Sequence, residues 1–155
     1  MTIWARLHIA VLAFWVGVML FFSGLLAPIA FQTFPTQQAG DLMNKLFAPY
    51  HIVGYVCGGL AVVTLWFAAG FRGKVRNVLL IALLGATLYA GLGISPEART
   101  LRAELRQTDP ASENPVTRER FDTLHRRAVA LNGTILIAAI AALGWAVVSP
   151  PKRQK

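Results

Sequence analysis

Two histidines, His51 and His125, are the groups in this chain best suited to hold a ligand. A neutral imidazole ligates a metal ion or a haem iron, and facing histidine pairs are the axial ligands of b-type haems in membranes. His51, Gly54, Tyr55 and Gly58 recur at i, i+3, i+4 and i+7, which puts them on one stripe of a helix. Gly54 and Gly58 form a small-xxx-small pair that lets a second helix approach closely, so this stripe is expected to face other helices. His125, Ala128 and Asn132 share a stripe of another helix by the same spacing. An asparagine in hydrocarbon needs a partner, so Asn132 is expected to face inward as well. The expectation is one cluster of His51, Tyr55, His125 and Asn132. The imidazoles would bind, and Tyr55 and Asn132 would orient them by hydrogen bonds.

A plainer reading of the same residues stays open. Histidines at helix ends bond to interfacial water or lipid phosphate, and Asn132 serves equally as an interhelical hydrogen-bonding residue. His8 lies at the far end of its helix, about 25–30 Å from the other two at 1.5 Å per residue, and suits an interfacial role. Three histidines on one metal are therefore not expected. Cys57 has no second thiol to pair with and reads as a small packing residue. Met1, Met19 and Met43 are scattered, which disfavours the soft-ligand cluster of a copper carrier.

The elements that position these residues are set by composition. Of 155 residues, 55% are hydrophobic and 14% charged, where a soluble domain carries about 25% charged residues. A disordered chain, a disulfide scaffold and an ordinary cytosolic enzyme are excluded. Four apolar stretches approach the ~20 residues a bilayer requires, at about 7–31, 51–71, 78–94 and 128–148. The first is too long for a secretory signal and is read as retained. The expected fold is all-α: a single transmembrane domain over 1–155, a polytopic four-helix bundle with short amphipathic helices in its two outer connections. None of the four stretches holds Asp, Glu, Lys or Arg. That argues against a pump with a carboxylate relay and against acid–base catalysis within the bundle.

The connections carry the charge. Thr36 to Phe47 reads as an amphipathic segment, with Pro49 opening the second span. Ser95-Pro96-Glu97 has the cap, proline and acid of a helix start. From there a polar helical connection covers 95–127, interrupted by a turn-rich break from Asp109 to Asn114. Asn114-Pro115 starts a helix of about 34 residues that runs into the fourth span. The four tryptophans are expected mostly at span ends, as an aromatic belt. Glycines 17, 24, 85, 91 and 93 are read as close-packing positions.

The net charge of +8 does not point to nucleic acid, because the basic residues flank the spans, where anionic lipid is nearer. Arg6, Arg72, Lys74, Arg76, Lys152, Arg153 and Lys155 lie on one side with no acid. The other side has eight basic residues and all seven acids. Three of the first group crowd a short turn, so both termini are expected in the cytoplasm, with the protein in the cell membrane.

The stretch Phe22-Ser23-Gly24 through Phe34-Pro35, then Asn44 through Pro49-Tyr50-His51, and Phe121 through His125 followed by Asn132, resembles the transmembrane protein 205-like family. The resemblance covers nearly the whole chain. It implies a small four-span membrane protein with Ser23, Gly24, Pro35, Pro49, His51, His125 and Asn132 at signature positions. It implies no reaction, because the family is a domain of unknown function. The functional expectation is a non-enzymatic membrane protein whose polar cluster binds a ligand, metal ion or partner, a second copy of the chain included. The alternative is a b-type haem protein using the histidine pair.

Overall fold

The structure, a computed structural model, describes residues 1–69, 74–107 and 114–151. All regular structure among them is helical. Four helices are long and apolar enough to cross a membrane: α1 (Ile3–Thr33), α2 (Thr36–Ala69), α3 (Lys74–Gln107) and α4 (Pro115–Val148). Each packs on its neighbours in the chain, and α4 closes the ring on α1. The core is built from Leu12, Trp15 and Met19 of α1, Cys57, Ala61 and Leu65 of α2, Leu80 and Leu83 of α3, and Ile135 of α4. Phe14, Val129 and Ile137 point outward, as expected where the solvent is hydrocarbon. The chain is an all-α membrane four-helix bundle.

The polar connections differ from the expectation in one respect: two of them continue the spans rather than forming separate helices. α2 runs through Pro49 without a break. α3 passes through Ser95-Pro96 instead of starting there. A helical proline lacks an N–H, and its ring crowds the carbonyl four residues earlier. In α3 that crowding is relieved by a π-helical turn at Tyr89–Ile94, directly upstream of Pro96. The same device occurs in α1, where a π-helical turn at Phe21–Leu26 precedes Pro28. α4 begins as its sequence dictates, with Asn114 Oδ1 accepting from the Val116 N–H at 2.9 Å and Pro115 at the first helical position.

Helices of 34 residues are about 51 Å long, so they exceed a hydrocarbon core of about 30 Å. Most of the excess lies at one end, where α2 and α4 carry their charged residues and α3 carries all of its own beyond Arg76. Four contacts fasten this polar end. Ala39 and Met43 of α2 pack on Phe22 and Ala30 of α1. Arg106 Nη1 meets Asp41 Oδ1 at 2.7 Å, and Arg102 donates to the Gln37 carbonyl at 3.3 Å. Gly40 makes that second contact feasible, because a side chain there would occupy the space of the Arg102 guanidinium. Arg120 binds Glu97 Oε1 through two nitrogens, at 2.6 and 3.0 Å, tying α4 to α3.

At the opposite end Trp4 stacks on Phe67 with centroids 4.6 Å apart. Arg76 lies 4.5 Å over the Trp145 ring and donates to the Ser149 carbonyl at 2.7 Å. Trp15 departs from the expected belt, being 1% exposed in the core. The basic turn at Arg72, the basic tail at 152–155 and the turn-rich break at 109–113 lie outside the described residues.

Candidate functional site

Asn132 is the hub of the bundle's polar interior. Its Oδ1 accepts from the Tyr50 hydroxyl at 2.6 Å, and its Nδ2 donates to Ser23 Oγ at 3.0 Å. One side chain of α4 thereby joins α2 and α1. Ser23 is presented by the π-helical turn of α1. Such turns widen the helix locally and redirect its side chains. Tyr50 stacks on Phe22 with centroids 4.3 Å apart, which fixes the ring that carries the hydroxyl.

His51 follows Tyr50 on α2 and is half-buried. Its imidazole lies parallel to Phe47 on one side and to Tyr55 on the other, with centroids 6.1 and 6.2 Å away. The Tyr50 ring meets it edge-on at 5.4 Å. Both His51 and Tyr55 rest against Gly91, in the π-helical turn of α3. A Cβ at residue 91 would lie 2.8 Å from His51 Cγ and would also collide with the Tyr55 hydroxyl. The close approach of α2 and α3 therefore requires glycine there.

All four helices line a cavity of about 10 Å³ at this level. Trp15, Met19, Tyr50, His51, Gly54, Thr87, Asn132 and Ile135 are among its walls. That volume is near the minimum for one water molecule. Gly54 and Gly58 open α2 to its neighbours: a Cβ on Gly54 would meet Thr87 Cγ2 at 2.9 Å, and one on Gly58 would meet Leu84 Cδ1 at 2.9 Å. Gly17, Gly24 and Gly85 face open space instead, so the close-packing expectation does not hold for them.

The structure brings His51, Tyr55 and Asn132 to one region and leaves His125 out of it. His125 is exposed, with its ring stacked on Phe121 at 6.2 Å, and it is not among the cavity-lining residues. The residue that turns inward at its level is Leu124, packed with Ile94 and Leu101 of α3. Among the described residues, no group of three or more His, Cys, Asp or Glu is placed to hold a metal ion.

Two groups escaped the sequence reading. Tyr50 does not stand out in the sequence, because the stripe counted from His51 selects Tyr55. His8, expected at the interface, is 3% exposed; its Nδ1 lies 3.1 Å from the Ala61 carbonyl and 3.2 Å from Thr64 Oγ1. Thr64 turns its own hydroxyl to the Leu60 carbonyl at 2.7 Å, so His8 closes a buried α1–α2 junction. Thr64 lies on the Gly54, Cys57, Ala61 face of α2, which was the signal available for it.

Residues 10–107 match the family described as a domain of unknown function (DUF4149). The chain belongs to this family. The matched region spans α1 to α3 and includes Ser23, Tyr50, His51, Tyr55 and Gly91, whereas Asn132 lies beyond it. An uncharacterized protein from Aquifex aeolicus (strain VF5) is 35% identical over 84 residues, covering 50% of this chain and 61% of that relative. No solved structure matches the chain.

Proposed function

We propose that this member of the family is a multi-pass cell-membrane protein of the transmembrane protein 205-like kind, with both termini in the cytoplasm, and that it binds a ligand at His51 rather than catalysing a reaction. One observation carries the reading. The His51 imidazole is held by three aromatic rings beside the cavity, yet its nitrogens make no hydrogen bond among the described residues. The half-buried ring keeps part of its surface accessible, so its nitrogens stand open to a ligand that can supply a bond. Asn132 and Tyr50 are already committed to each other, so they stiffen the wall while His51 provides the contact. The absence of Asp, Glu, Lys and Arg from the apolar cores argues against acid–base chemistry there.

The test compares wild type with His51→Ala, both purified in mild detergent, by absorption spectrum, metal analysis and native mass spectrometry. The expected result is a non-covalently bound species in the wild type that is depleted in the variant. A Soret band lost on substitution identifies that species as haem; metal lost without a Soret band identifies an ion. Identical bound species, or none, in the two proteins overturn the reading.

A further inference from the structure

We infer that the cavity where the four helices meet is a binding site for one ordered water molecule, held by the Trp15 indole N–H, the His51 imidazole and the Asn132 amide.

Trp15 creates the need. It is 1% exposed, within the apolar part of α1, and its indole N–H makes no hydrogen bond among the described residues. An indole nitrogen is a donor only, so what it lacks is an acceptor, and hydrocarbon offers none. Gly54 makes room beside it: a Cβ there would lie 3.7 Å from Trp15 Nε1 and 2.9 Å from Thr87 Cγ2. Trp15 and Gly54 both line the cavity, whose volume of about 10 Å³ suits a single small molecule.

The other walls supply the remaining bonds. Asn132 Oδ1 accepts from Tyr50 and Nδ2 donates to Ser23, which leaves the amide a second lone pair and a second N–H. The His51 nitrogens are likewise unbonded among the described residues. Both side chains line the cavity with Trp15, so a molecule that fills it meets all three. A buried water makes about three hydrogen bonds, whereas an apolar cavity of this size stays dry.

The same walls exclude other occupants. Ammonium has no lone pair to offer the indole. Among the described residues no Asp, Glu, Lys or Arg lines the cavity, so an ion would be buried without a counter-charge. Water accepts from Trp15 and bonds to both other groups. It thereby links α1 to the His51 ring and orients that ring, as hydrogen-bonded neighbours orient ligating histidines. An imidazole has two nitrogens, so a water on one leaves the other for an external ligand. The demand of Trp15 for an acceptor does not depend on that ligand.

The test is nuclear magnetic resonance of the full-length protein, 15N-labelled at tryptophan, in perdeuterated detergent. The Trp15 indole signal is identified by its loss in Trp15→Phe. In the wild type it should show a rotating-frame cross-peak to water opposite in sign to the diagonal, the mark of a bound molecule rather than of proton exchange. Gly54→Ala sets a methyl group against the indole and should abolish the cross-peak. Tyr50→Phe and Thr87→Val, which remove hydroxyl protons that could relay the signal, should retain it. No cross-peak in the wild type, or one with the sign of the diagonal, overturns the site. Its persistence in folded Gly54→Ala, or its loss in either hydroxyl variant, also overturns it. Should Gly54→Ala fail to fold, the wild type and the hydroxyl variants decide. Loss of a retained species in His51→Ala concerns the external ligand alone, so the two readings fail separately.

Discussion

A single side chain, Asn132, joins three helices, and its removal should cost more than the loss of either bond alone. Tyr50→Phe deletes one interhelical hydrogen bond and leaves Asn132 bonded to Ser23. The expected cost is about 0.5–1 kcal/mol, the scale of side-chain hydrogen bonds between membrane helices. Asn132→Leu removes both of its bonds, leaves the Tyr50 hydroxyl and Ser23 only each other, and should cost about 1–3 kcal/mol. Thermal unfolding in detergent checks the order; equal midpoints for the two variants would show that the hub is not cooperative. An inward-facing Asn132 was legible in the sequence, because hydrocarbon leaves an amide no other solution. His125 was not correctly placed by the same logic, although it shares the stripe of Asn132. A stripe argument assumes the same neighbours along the helix. At the level of Asn132, α4 meets α1 and α2; one heptad nearer the polar end it leans on α3 through Leu124, and His125 turns out. His8 shows the converse error, since a histidine near a chain terminus looks interfacial until Thr64 and the Ala61 carbonyl are known to face it.

At the scale of the helix, the prolines mislead and the glycines must be sorted. Pro49 and Ser95-Pro96 look like boundaries because helices commonly begin at such sequences. Both are traversed, one directly and one after a π-helical turn, and no periodicity in the apolar residues announces such a turn. The four apolar spans themselves were legible, since their length and lack of charge leave few alternatives. Small residues are ambiguous by sequence: Gly91 and Gly58 receive neighbouring side chains, whereas Gly85 faces open space. This contrast gives two linked expectations. Gly91→Ala must displace Tyr55 and His51, and Gly58→Leu must displace Leu84 and Trp15, so each should destabilise by about 1–3 kcal/mol. Gly85→Ala meets nothing and should be neutral or stabilise by up to about 1 kcal/mol through helix propensity. Parallel thermal melts decide the matter, and a Gly91→Ala protein as stable as Gly85→Ala would show that α3 does not press on the His51 site.

For the whole molecule the consequential property is asymmetry. One end closes at the membrane with Trp4, Phe67, Arg76 and Trp145, while the other projects about 20 Å beyond the hydrocarbon as a charged helical cap. The cap is fastened by exposed ion pairs, each worth at most about 1 kcal/mol, so Asp41→Asn should cost little and less still in high salt. A larger loss in a salt-dependent melt would mean that the Asp41–Arg106 clip governs the bundle. Which side the cap occupies is a separate question, because the Lys and Arg numbers on the two sides nearly balance and only their density differs. The proposed orientation puts the cap outside and the termini in the cytoplasm. Three single-cysteine variants in a Cys57→Ala background read this out with a membrane-impermeant maleimide. Glu119→Cys sits on the cap and should label in intact cells. Thr2→Cys should label only after permeabilisation. Val129→Cys is 59% exposed, yet at about one helical turn inside the level of Arg126 it should label poorly in both conditions, since its surroundings are hydrocarbon. Labelling of Thr2→Cys in intact cells would invert the orientation while leaving the bundle as described. Ready labelling of Val129→Cys would place the membrane boundary nearer the core.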